Sequence, residues 1–157
     1  MSKYDWLLFF HVTGAFLLVG GAVIAAVLNV GALRRERPSE IALLLGLIRI
    51  AVAAIGAGAV LTLVFGLWLV HVAGYSYGSF WVIAALVLWV ASNAMGSRGG
   101  KHDKETRELA ERLAAEGDRP NPALQRRLRA PASLLGSYGS GLLVLLIVVD
   151  MIWKPGA

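Results

Sequence analysis

Residues 6–33 read WLLFFHVTGAFLLVGGAVIAAVLNVGAL, from Trp6 to Leu33, with no charged side chain. A helix of about 20 apolar residues crosses a ~30 Å hydrocarbon core, so this run is one membrane span with length to spare. His11, near its start, and Asn29, near its end, set it apart from a helix that faces only lipid. At ~100° per residue, His11, Gly14, Leu18, Gly21, Ala25 and Asn29 share one face. Small residues let membrane helices approach closely and polar ones avoid lipid. This face is therefore expected to meet neighbouring helices.

The turn RRERPSE, residues 34–40, ends the span, and Ser39 reads as the N-cap of the next helix. Span 2 covers about Ile41 to Val72, roughly 48 Å of helix, so it tilts or projects from the bilayer. The turn AGYSYGS leads to span 3, Phe80 to about Gly96. A polar segment follows, 97–131, in which Gly99-Gly100 reads as a hinge. Asp103 to Glu116 reads as a helix with Leu109 and Leu113 on one face, and Gly117 as its stop. Asn121-Pro122 opens a short basic helix with Arg126, Arg127 and Arg129. Span 4 is about Ala132 to Trp153. The expectation is a single membrane domain, all-α: a four-transmembrane-helix antiparallel bundle, because short turns join antiparallel neighbours.

Bulk composition agrees. The chain has 157 residues, 57% of them hydrophobic, against about 45–50% in a soluble domain. It has no cysteine, which excludes disulfides, thiolate metal sites and thiol catalysis. Twelve of its fifteen Lys and Arg residues lie in 34–40 and 97–131. By the positive-inside rule those segments are cytoplasmic and both termini lie outside, in a bacterial-type plasma membrane. The net charge of +5 thus reflects topology rather than a nucleic-acid partner. Trp6, Trp81 and Trp153, with Tyr4, Tyr75 and Tyr77, are expected as an aromatic belt at the outer interface. The first run is read as a retained span, not a cleaved signal, because it is too long and lacks a basic start.

In span 2, Arg49, Ala53, Gly56, Val60, Leu67 and His71 fall on one stripe, read as the inward face. In span 4, Ser133, Gly136, Ser140, Leu143, Ile147 and Asp150 line up likewise. Two polar layers are expected. The inner one gathers Asn29, Arg49, Ser92 and Asn93, with Ser133, Ser137 and Tyr138. The outer one holds His11, His71 and Asp150. An ionisable residue within a span is a functional candidate by default, and imidazole binds copper and haem iron well. His11 and His71 lie on antiparallel neighbours near one boundary. They are read as a ligand pair for a haem b, or for copper, with Gly14 and Gly74 leaving room for a porphyrin edge and Asp150 as a third ligand. The bland reading is that both histidines are structural, in a non-enzymatic scaffold or small transporter subunit. Arg49 either holds an anionic group or snorkels to headgroups, Arg126, Arg127 and Arg129 suit anionic lipid, and His102 reads as solvated. The small-residue faces would also suit a homo-oligomer in the lipid bilayer. No phosphate-binding glycine loop, HExxH or nucleophile elbow occurs.

The opening YDWLLFFHVTGAFLLVGG resembles the start of a bacterial integral-membrane family, domain of unknown function 2269. The shared pattern is an aromatic-rich start, a histidine, a glycine three residues on and a Gly-Gly pair. The four-span layout and the polar stretch before span 4 resemble it as well. The first-span histidine is also similar to that of copper-resistance-protein-D-like proteins and of haem-containing membrane protoporphyrinogen oxidases. The oxidase resemblance implies that His11 ligates haem. The chain departs from both patterns: it has three methionines, and no lysine lies inside a span.

Overall fold

The computed structural model describes residues 2–155, except the side chains of 132, 133 and 137. The described residues form five helices: α1 (Lys3–Leu33), α2 (Pro38–Val72), α3 (Phe80–Ala115), α4 (Pro122–Leu128) and α5 (Pro131–Trp153). Four of them, α1, α2, α3 and α5, are long and apolar enough to cross a membrane. They form an all-α bundle of two hairpins, α1–α2 and α3–α5, joined mainly where α2 meets α3.

Local chemistry sets the helix ends. The Ser2 hydroxyl accepts from Asp5 N–H at 3.2 Å, and the Asp5 carboxylate accepts from Ser2 N–H at 2.7 Å, a reciprocal capping box for α1. Asn121 caps α4 by accepting from Ala123 N–H at 2.8 Å, ahead of Pro122 at the first helical position. Gly117 has φ +124, a left-handed stop open to glycine. The α2 cap differs from expectation. Arg37 is the N-cap, Pro38 takes the first helical position, and Ser39 lies inside the helix. Proline's fixed φ suits that first position, which moves the start back by two residues.

α1 buries Leu7, Gly14, Leu18, Gly21, Asn29 and Ala32, the face its period predicts. α2 does not follow its predicted stripe. Arg49, Ala53, Gly56, Val60 and His71 are exposed, while Ile41, Leu45, Ile48, Ala51, Gly58, Ala59 and Val70 are buried. The expectation turned the polar residues inward. Contact between backbones decides the matter instead. A Cβ on Gly58 would lie 2.5 Å from Leu18 N and 2.6 Å from Gly14 O, so α1 and α2 touch along their glycines.

α3 also departs from expectation, running unbroken through Gly99-Gly100 to Ala115. Helical glycine costs about 1 kcal/mol against alanine, but here it admits α5. A Cβ on Gly136 would sit 2.8 Å from Gly99 Cα. The separate helix expected at 103–116 is thus the far end of α3, with Leu109 and Leu113 packed on the core as their spacing implies.

Candidate ligand cleft

The two ends of the bundle are built differently. At the end carrying 34–40 and 97–131, called here the charged end, one cluster joins four helices: Ala32, Ile41, Leu45, Ile48, Ala110, Leu124 and Leu128. Polar bonds close it. Asp118 accepts from Ser39 N–H and from Ser39 Oγ, each at 2.7 Å. It thereby serves a free N–H in the first turn of α2, the role of a capping side chain supplied from a distant loop. The Ser39 hydroxyl, then its N–H, holds the Asp118 carboxyl below the usual carboxylate range, with help from Arg37. Gln125 Nε2 donates to Arg35 O at 2.6 Å. Arg127 pairs with Glu105 at 2.5 Å, and His102 Nε2 donates to Arg127 O at 3.1 Å. His102 is thus half-buried and bonded rather than simply solvated.

At the end carrying the termini, the hairpins meet in a small buried cluster of Val70, Trp81 and Val82 with Met151 packed against it, and nearer mid-bundle through Leu18, Ala59 and Val144. Beside these clusters lies a cleft of about 360 Å³ with predominantly apolar walls, within the ~300–1,000 Å³ usual for small-molecule sites. α1 contributes Leu8, His11, Ala15 and Leu18, facing Gly66 and Val70 of α2. The rest of the lining includes Val82 and Trp89 of α3 with Val144 and Ile147 of α5; Val82 packs with Val70, and Val144 with Leu18. Lys154 also lines the cleft, with Nζ 5.1 Å from the Tyr75 ring centre and 5.6 Å from that of Trp81. Lys154 adopts a left-handed φ of +41, and no acidic side chain pairs with it among the described residues. Trp81, expected in the exposed belt, is buried and meets Tyr75 edge-on at 5.3 Å, whereas Trp6 and Trp153 are exposed.

His11 is placed by α2. Its Nδ1 lies 3.0 Å from Thr62 O, and a Cβ at Gly66 would meet its Cε1 at 2.9 Å. A carbonyl only accepts, so Nδ1 carries the proton, and in the neutral form of the ring the lone pair lies on Nε2. The Thr62 hydroxyl donates to Gly58 O. Gly58, Thr62 and Gly66, spaced by four, thus form the seat against which α1 and its histidine rest. That spacing of four is legible in the sequence, beside the polar stripe of Arg49 and His71 on which the expected inward face rested.

The other candidate residues fall elsewhere. His71 is exposed and is not on the cleft wall. It lies five residues beyond Gly66, which turns it ~140° away from the ring seat. Gly14 is buried against Leu61 and Thr62, so the space it frees is filled by α2. Gly74 sits in the α2–α3 turn at φ +73, between the cleft-lining residues Ala73 and Tyr75 but not itself on the wall. Asp150 is partly buried, with Oδ2 lacking a hydrogen-bond partner among the described residues, and it does not line the cleft. The structure does not gather the inner polar layer. Asn29 is buried, whereas Arg49 and Asn93 are exposed, and Asn93 Nδ2 and Ser92 Oγ both donate to Trp89 O in their own helix. Tyr138 is exposed as well, and the side chains of Ser133 and Ser137 lie outside the described residues. Among the described residues no three His, Asp or Glu side chains cluster as a metal site.

Fold and cleft together define a four-span membrane bundle with an apolar, histidine-bearing cleft at one end. The chain belongs to the family described as predicted integral membrane protein, domain of unknown function 2269, whose model matches residues 5–155. No curated protein and no solved structure matches it.

Proposed function

We propose that this is a multi-pass protein of a bacterial-type plasma membrane, charged end in the cytoplasm, and that His11 would hold a haem b in the cleft. The supporting observation is the seating of His11: a ring in the cleft wall, its Nδ1–H on the Thr62 carbonyl, its Nε2 lone pair uncommitted. Ligating histidines are ordinarily oriented by just such a bond from the other ring nitrogen. The apolar walls suit a porphyrin body, and Lys154 supplies a cation for its carboxylates. Haem would supply one-electron chemistry, while the chain's part is to hold the imidazole, exclude water and place the cation. Haem is preferred to copper because a copper site draws on several donors, and neither His71 nor Asp150 lines this cleft.

A second reading rests on the same bond. His11 ties α1 to α2, which is what a structural histidine in a scaffold or transporter subunit would do. Visible spectroscopy and elemental analysis of the protein purified in mild detergent separate the two. The haem reading expects a Soret band that His11→Ala removes while the fold survives. A colourless, iron-free protein that also takes up no added haem would refute it.

A further inference from the structure

The charged end carries a second depression, of about 440 Å³, between the α1–α2 turn and α4. Leu33, Arg34, Arg35 and Glu36 line one side; Pro120, Asn121, Pro122, Gln125 and Arg129 line the other. We propose that this depression binds the headgroup phosphate of an anionic phospholipid.

The two sides are separated by some 90 residues of chain yet are fixed to each other. Gln125 donates to the Arg35 carbonyl, and Asp118 holds Ser39 just beyond the turn. The depression is therefore a built feature rather than two loops that happen to pass. Its charge is unbalanced. Arg35 reaches Glu40 at 3.6 Å, but Arg34 and Arg129 have no acidic partner among the described residues. Glu36 on the rim opposes an anion, and two uncommitted guanidinium groups outweigh it. Arginine's planar fork matches phosphate oxygens in pairs.

Position and floor favour a lipid over a soluble anion. Leu33 is the last residue of a helix long and apolar enough to cross a membrane, so the depression lies at the end of that helix, beside the bilayer rather than on a distant loop. Leu33, Pro120 and Pro122 make its surface partly apolar, which suits the glycerol end of a lipid. The sequence pointed to Arg126, Arg127 and Arg129 for this role. The structure divides them: Arg127 is committed to Glu105, and Arg126 points elsewhere than this depression.

The test is native mass spectrometry of the protein from mixed micelles of phosphatidylglycerol and phosphatidylcholine with matched chains. At ~1 kcal/mol per arginine near a surface, each contributes about fivefold. The double variant Arg34→Gln with Arg129→Gln should lower the retained phosphatidylglycerol preference by roughly 25-fold. Arg126→Gln, an exposed control outside the depression, should leave it near wild type, and lysine at both positions, which keeps the charge but not the planar fork, should restore only part of it. Three results would overturn the proposal: no preference in the wild type, an equal loss in Arg126→Gln, or displacement of the lipid by millimolar inorganic phosphate. The first two would mean diffuse charge and the third a site for a free anion. None depends on the cleft or on haem.

Discussion

The two ends of this bundle are packed differently: one by a cluster drawn from four helices, the other by a smaller cluster beside a cleft. At the charged end Ile41 and Leu124 are fully buried in a cluster contributed by four helices, and loop side chains bond across it. At the terminal end α1–α2 and α3–α5 meet through the smaller cluster of Val70, Trp81 and Val82 beside a cleft, whose walls carry His11, Thr62 and Lys154 among their polar side chains. Apolar area alone does not produce this difference, since both ends are rich in leucine and valine. The charged end gains α4 and the far turns of α3, which lie beyond the spans and fill the space between hairpins. The terminal end has the short turn 73–79 and the three-residue cluster of Val70, Trp81 and Val82. The candidate cleft thus lies at the end where less of the chain fills the space between hairpins.

Truncation at each end tests that contrast most severely. Leu124→Ala should cost about 2–5 kcal/mol of stability, as buried leucines do. Val148→Ala on the cleft wall should cost at most ~1.5 kcal/mol, since little new burial is lost. Denaturant unfolding in one detergent compares them, and equal costs would break the distinction between a packed and an open end.

Two glycines on one face of α2 sharpen it next. Gly58→Ala meets the α1 backbone, which cannot rotate away, and should destabilise by about 1–3 kcal/mol. Gly66→Ala meets only the edge of the His11 imidazole, which can turn. It should cost less than ~1 kcal/mol yet move the ring off Thr62 and weaken haem uptake. Thermal unfolding and haem titration of the two variants should therefore rank them in opposite orders.

The clasp at the charged end should respond to acid. Because folding lowers the Asp118 pKa, its contribution is complete above the ordinary aspartate value. It is lost as pH falls through the lower, folded value. Hydrogen exchange in the first turn of α2 should accelerate at that point, and Asp118→Ala should show the same acceleration at neutral pH. Exchange around the cleft should not change in either case. The smallest effect expected is at the rim: Lys154→Gln should weaken an anionic amphiphile by no more than about fivefold, the limit for an exposed ion pair. The corresponding neutral alcohol should bind both forms alike.

Much of the fold was legible because length and apolarity fix a span before any tertiary contact is known. The α1 face was legible too, since its small residues and its polar residues fall on the same side. The α2 face was not. There the polar residues Arg49 and His71 lie on one side and the small residues Gly58 and Ala59 on another, and close backbone packing overrode the aversion of polar groups to lipid. Gly99-Gly100 misled for a related reason: a glycine pair signals a hinge in isolation but a crossing point when Gly136 packs on it. For the site, His11 was visible as an anomaly in an apolar run. Its partner was not, because a backbone carbonyl has no signature in sequence, and Lys154 enters the cleft only through the left-handed turn that ends α5.

The most direct test of the central claim is haem titration of His11→Ala and His71→Ala beside the wild type, followed at the Soret band. Haem held in the cleft by His11 alone predicts that His71→Ala binds as the wild type does and that His11→Ala loses the band. Loss in both variants, or retention in His11→Ala, would contradict it.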